Sequence, residues 1–312
     1  MDKVLGKFLS QCLVKNSGYI YGLSAAFFWG LHAVLVRRII TDMPGVVIAV
    51  FRLYIAVIVL YLIQKNYRAV STKLQLNGFQ LILVAVFGVT FNFAFFHWGL
   101  EYTTASNAML IESTAPIFVL IFLGVFYKER IKLLEFMAIV VSLMGVVFVV
   151  INDVDLDKSR LFGDALELLA AATWAIFIVG SSKVTSQLTS AKSRMSFLMV
   201  VFLIAAVPLT PAVFLMDYHI SSDTIINLVL LGIFPTALAY ALWYEAAARM
   251  STVSAALIFN LSIVFTMINA NIFLGESVTV FMFIGAVFII SGILLAKLAV
   301  QRKVKLLGTD KG

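Results

Sequence analysis

The chain has 312 residues, of which 62% are hydrophobic and only 12% charged. A soluble domain is nearer 25% charged, and no soluble core could hide this much apolar side chain, so lipid is the solvent for most of it. One cysteine, Cys12, excludes an intramolecular disulfide framework; with three histidines it also argues against a structural zinc cluster, and no cofactor is expected.

The first 17 residues place Lys3, Lys7 and Lys15 opposite Leu5, Phe8, Leu9, Cys12 and Leu13. They read as an amphipathic cytoplasmic segment lying at the headgroups, or as a frayed terminus, and not as a cleaved signal peptide. Ten segments follow that are long enough to span a bilayer: 18–36, 44–64, 78–100, 102–127, 133–151, 165–182, 195–216, 224–244, 250–275 and 277–296. The formal charges inside them are Arg52, Glu112, Glu135 and Glu167. The acidic segment 152–162 reads as an external linker. Its Asp153, Asp155 and Asp157 alternate, but lack the glycine and final glutamate of a calcium loop. The tail 301–312 is basic.

With these spans, eighteen Lys and Arg fall on the side of the N-terminus and four on the other. The bias places both termini in the cytoplasm, as an even number of spans requires. The net charge of +7 is therefore a topology signal, and no nucleic-acid partner is expected.

Two stretches look like copies about 147 residues apart. Tyr102 to Pro116, Lys128-Glu129 and Gly145 match Ser251 to Val264, Gly275-Glu276 and Gly292. The halves, 18–151 and 163–300, each hold an odd number of spans and must sit with opposite topology. The expected fold is an all-α membrane protein of ten transmembrane helices in two inverted five-helix repeats. That is the architecture of a carrier that opens alternately to its two sides.

The motifs resemble the drug/metabolite transporter superfamily, in particular its EamA-type members. The residues carrying the resemblance are Phe28-Trp29-Gly30 with a counterpart at Trp174, Arg52, Tyr102-Thr-Thr-Ala-Ser106 through Pro116-Ile117, and Lys128-Glu129-Arg130. Gly163-Asp164, the run from Thr236 to Trp243, Ser254 and Leu274-Gly275-Glu276 carry it in the second half. Val264 stands where the family has proline, and Glu112 where it has a small or polar residue. The resemblance implies a substrate cavity between the halves, lined by helices 1, 3, 4, 6, 8 and 9, with helices 5 and 10 peripheral.

An ionised carboxylate at mid-membrane is costly, so Glu112 is the sharpest functional signal. Arg52, Glu112 and His32 fall at similar depth, roughly 12–15 Å from the outer boundary. An Arg52–Glu112 ion pair and a substrate or proton site at Glu112 are both open readings. The pair, if formed, favours a carrier without proton coupling. His32 is a packing histidine or a proton carrier facing the same cavity as Trp29. His97, beside Trp98, reads as interfacial. The predicted substrate-binding set is Trp29, His32, Arg52, Asn92, Phe95, Asn107, Glu112, Trp174, Tyr240 and Asn260, the last aligned with Glu112 across the repeat. Asp164 and Glu167 read as acids at a helix N-terminus.

No catalytic motif supports an enzyme; an intramembrane enzyme is the alternative class. One deep arginine is too few for a sugar phosphate. The expected partners are the lipid bilayer and a small-molecule substrate, an amino acid or related zwitterionic or cationic compound, exported or exchanged across the cytoplasmic (inner) membrane. A purine, a methylated cofactor or a cationic drug is an alternative cargo, and a homodimer is left open.

Overall fold

The computed structural model describes residues 2–64, 78–102, 108, 111–150, 161–185, 187–188, 190–274 and 279–309. All regular structure among the described residues is helical. The helices are α1 (Asp2–Arg37), α2 (Gly45–Gln64), α3 (Gly78–Gly99), α4 (Ala115–Tyr127) and α5 (Leu133–Val150). Then come α6 (Leu161–Thr185), α7 (Ala191–Leu209), α8 (Ser222–Ala247), α9 (Thr252–Phe259, continued as Leu261–Leu274) and α10 (Val280–Thr309). Seven of the described helices are long and apolar enough to cross a membrane; α4, α5 and α10 hold shorter apolar stretches. This is a multi-pass membrane protein.

Three helices start on serine caps. Ser190, Ser221 and Ser251 each accept a hydrogen bond from the amide three residues on, satisfying a donor that has no partner inside the helix. Helix α1 starts earlier than predicted, at Asp2; the side chains of the expected amphipathic segment lie outside the described residues. Most of the 152–162 linker also lies outside them.

Helix α8 runs past the predicted end at 244 and takes in Glu245. The charge is tolerated because Arg194 donates to both of its oxygens, at 2.6 and 2.7 Å, and Arg249 to one, at 2.6 Å. A second ion pair, Lys183–Glu129, ties α6 to the α4–α5 turn.

Packing obeys a two-fold exchange of each helix with the one five places on. Helix α1 packs on α9 as α6 does on α4; α1 packs on α8 as α6 does on α3; α2 packs on α8 as α7 does on α3. Helices α5 and α10 pair with each other. A Cβ on Gly145 would lie 2.6 Å from the Gly285 carbonyl oxygen and 2.7 Å from the Ile289 nitrogen. A Cβ on Gly292 would lie 2.6 Å from the Ala138 carbonyl oxygen and 2.9 Å from the Ser142 nitrogen. The two contacts are related by 147 residues: Gly145 plus 147 is Gly292, and Gly285 and Ile289 less 147 are Ala138 and Ser142. The helices therefore run antiparallel about a two-fold axis, with backbones so close that only glycine fits. Equivalent helices pointing in opposite directions are what an inverted repeat means.

Two irregularities recur in both halves. Helices α3 and α8 contain wide π-helical turns at Leu83–Thr90 and Gly232–Leu238. In each, a threonine donates to the carbonyl five residues back, Thr90 to Ala85 at 3.3 Å and Thr236 to Leu231 at 2.7 Å. Such bulges concentrate at functional sites. Helix α9 breaks at Asn260, and a turn at Ser113–Thr114 precedes α4.

Candidate functional site

Next to these irregularities lies a cavity of about 50 Å³. That is room for a few waters or a small polar head group. Its walls are Trp29 and His32 (α1), Arg52 (α2), Asn92, Phe93, Phe96 and His97 (α3), Glu112 before α4, Trp174 (α6), Tyr240 (α8), and Phe259 and Ser262 (α9).

Arg52 is the centre of the polar wall. Its Nε donates to Thr236 Oγ1 at 2.9 Å, across the boundary between the halves. Its Nη1 is 2.6 Å from His32 Nε2 and 3.5 Å from His97 Nε2. A guanidinium has no lone pair to offer, so both imidazole nitrogens accept. His97 Nδ1 in turn donates to the Phe93 carbonyl at 2.8 Å, which leaves its Nε2 as the lone-pair nitrogen. Both histidines are thus neutral here and serve to hold the arginine. The Phe93 ring covers the guanidinium at 4.7 Å.

Glu112 lies across the cavity. Asn92 Nδ2 donates to Glu112 Oε1 at 3.3 Å and to the Ala170 carbonyl at 3.0 Å. Of the two open readings, the Arg52–Glu112 ion pair is not formed here: no contact within 4.0 Å joins them, and the guanidinium is held by His32, His97 and Thr236 instead. No hydrogen bond engages Arg52 Nη2 or Glu112 Oε2 among these residues.

Seven of the ten predicted residues meet in this cavity: Trp29, His32, Arg52, Asn92, Glu112, Trp174 and Tyr240. Phe95 does not. It stacks on Phe91 at 5.7 Å, and its neighbours Phe93 and Phe96 take the places expected of it. Asn260 does not either; its Nδ2 donates to Ser142 Oγ of α5 at 3.1 Å. At the register of 147, the counterpart of Glu112 is Phe259, which does line the cavity. Asn107 lies outside the described residues. His97 is not interfacial but buried in the polar wall.

The aromatic walls repeat the two-fold. Trp29 meets its counterpart Trp174 edge-on, at 5.6 Å and 87°. Phe93 meets its counterpart Tyr240 at 6.4 Å. The ring trio His32, Phe96, His97 is built again as Phe177, Trp243, Tyr244. The separations are 5.5, 5.7 and 5.5 Å in the first (32–96, 32–97, 96–97). They are 5.4, 5.8 and 5.7 Å in the second (177–243, 177–244, 243–244). The interplanar angles are 35°, 68° and 78° against 36°, 65° and 76°.

A family profile described as the EamA-like transporter family matches residues 16–151 and again 161–298. The chain belongs to that family. It is 29% identical over 290 residues to an "Uncharacterized transporter" of Clostridium kluyveri, covering 89% of this chain and 92% of that one. It is 24% identical over 288 residues to a "Probable amino-acid metabolite efflux pump" of Escherichia coli K12, covering 88% and 92%. A solved crystal structure matches with a TM-score of 0.75 at 16% identity, over 92% of this chain and 98% of that one, which speaks for the fold alone. This EamA-like chain is a transporter; its relatives' names point to transport rather than catalysis.

Proposed function

We propose that this protein is a ten-span carrier for an amino acid or a closely related zwitterionic or cationic metabolite, working by alternating access in export or exchange. Both termini lie in the cytoplasm, the repeats 18–151 and 163–300 are joined by an external linker at 152–162, and the chain resides in the cytoplasmic membrane. The observation that carries the substrate class is that Arg52 and Glu112 line one cavity without bonding each other. A guanidinium nitrogen with no partner among the described residues suits a carboxylate, and a carboxylate oxygen with none among them suits an ammonium. Trp29, Trp174, Tyr240 and Phe259 form an aromatic box for the side chain between them. The name of the Escherichia coli relative agrees with this reading.

Counterflow in proteoliposomes with a panel of radiolabelled amino acids, purines and sugar phosphates tests it. Saturable exchange of amino acids alone is the expected result. Exchange of a sugar phosphate in preference to them would reject the substrate class. Cysteines at Ser159 and Gly312 test the topology; labelling of Gly312 by an impermeant maleimide in intact cells would reject it.

A further inference from the structure

Glu167 is a buried acid that the cavity does not use. It is 0% exposed, and neither carboxylate oxygen has a hydrogen-bond partner among the described residues. Its Oε1 lies 2.6 Å from where a Gly99 Cβ would stand, so the carboxyl is pressed onto the backbone of α3. The helix-terminus reading of this residue accounts for none of this.

An ionised carboxylate stripped of water and of every donor is the costliest state a side chain can hold; the neutral acid costs far less. The charged surroundings point the same way. Its electrostatic neighbours are the carboxyls of Glu112, before α4, and Asp164, on its own helix. Helix α3 presents Gly99 against the carboxyl and, at Ala170 one turn on, the Asn92 amide; α4, α8 and α9 also pack on α6, and the tyrosines of α8 meet it only further along, at Trp174, Phe177 and Ser181. Among the described residues no cation forms an ion pair with it. The contact with Gly99 also leaves no space for a metal ion's shell of oxygens. The smallest cation is the proton.

The acid is wired to the cavity. Asn92 Nδ2 donates both to Glu112 Oε1 and to the Ala170 carbonyl, one helical turn from Glu167. A ligand that draws Glu112 toward itself pulls on this bridge and on the α3–α6 contact that seals Glu167.

We propose that Glu167 is a proton-binding site, loaded in this conformation and emptied when α3 parts from α6, so that one proton moves against each substrate. The proton leaves by breaking the carboxyl O–H bond and passes to water entering the parted contact; no electron transfer is involved. This rests on the transport reading above.

Two measurements test it. Infrared spectra of the purified full-length chain in lipid are taken across a pH titration. A protonated-carboxyl carbonyl band at neutral pH is expected in wild type and lost in Glu167→Gln, with the Glu112→Gln spectrum as reference. Identical bands in wild type and Glu167→Gln would overturn the proposal. In proteoliposomes with L-phenylalanine or L-lysine as probes, wild type should accumulate probe by about tenfold per unit of imposed pH difference. Glu167→Gln should keep counterflow and lose accumulation, and Glu167→Asp should regain part of it. Gradient-driven accumulation that persists in Glu167→Gln overturns the proposal. Wild type with no counterflow of either probe counts against the substrate class instead, and the infrared result still decides Glu167.

Discussion

The trio His32, Phe96, His97 and the trio Phe177, Trp243, Tyr244 share one geometry and differ in chemistry. In the second, all three rings are sealed in the core. In the first, two rings carry nitrogens that accept from Arg52. The counterpart stretch of Arg52 on α7, Phe197-Leu198-Met199, has no charge, and the counterpart of Glu112 is Phe259. The repeat thus fixes where rings stand, and a handful of unshared substitutions turns one copy into a binding wall. Symmetry carries the scaffold; departures from it carry recognition.

That contrast can be broken from the symmetric side first. Gly145→Val and Gly292→Val each drive a side chain into partner backbone, which cannot move aside. Each should cost about 1–3 kcal/mol or more, and by similar amounts because the contacts are equivalent. Thermal unfolding of each variant in detergent measures this; unequal losses would show that the two-fold is not shared energetically.

Transport should be unequal where the repeat is unequal. Glu112→Gln and Arg52→Gln should each lower kcat/KM by about 10–100-fold, the worth of one charge-assisted hydrogen bond. Phe259→Leu, at the counterpart position, should change it far less. With no ion pair between them, the stability losses of Arg52→Gln and Glu112→Gln should add in the double variant to within about 0.5 kcal/mol. A larger coupling would mean the two charges do meet in another state.

The double change His32→Phe with His97→Tyr gives the first trio the second's residues at two of its three positions, Phe96 still standing where the second has Trp243. The fold should survive, since the geometry already accepts those rings. Arg52 would lose two acceptors, and transport should fall about tenfold, as read by counterflow. Thr236→Val, which removes the acceptor for Arg52 Nε, should cost about 1 kcal/mol and weaken transport less. The smallest effect belongs to Lys128. It closes α4 at φ 51°, a left-handed position where its repeat counterpart is Gly275. Lys128→Gly should stabilise by about 0.5–1 kcal/mol in the same unfolding assay.

Much of this scaffold could be read from the chain. The 147-residue register, the equivalence of Gly145 with Gly292 and that of Trp29 with Trp174 all follow from the repeat; the structure gives the two glycines equivalent close contacts and sets the two tryptophans edge to face. Charged residues were informative because lipid penalises them, so Arg52 and Glu112 pointed inward before any fold was known. Aromatics were not, because lipid and core are equally apolar. Phe95 and Phe93 are indistinguishable by composition. The buried positions Asn92, Phe93, Phe96 and His97 form an ordinary i, i+3, i+4 stripe of α3, and apolar composition does not tell it from the neighbouring one that holds Phe95. His97 was misread for its exposed neighbour Trp98. Asn260 was misassigned by a single residue of register, and one residue turns a helix by about 100°. Glu167 showed in sequence only as an acid near a helix start; its lack of partners is a tertiary fact.

Arg52 is bonded to His32 of one half and Thr236 of the other. A charge tied to both halves shifts little along the membrane normal as they rock against each other. Voltage does work only on charge that travels, about 2.3 kcal/mol per elementary charge per 100 mV. Arg52 therefore sets a standing potential at the cavity while adding almost nothing to the electrical work of a cycle. The current a clamped bilayer registers then belongs to the cargo and whatever ion accompanies it. A zwitterion and a cation riding the same site should differ in that current by one full charge per turnover.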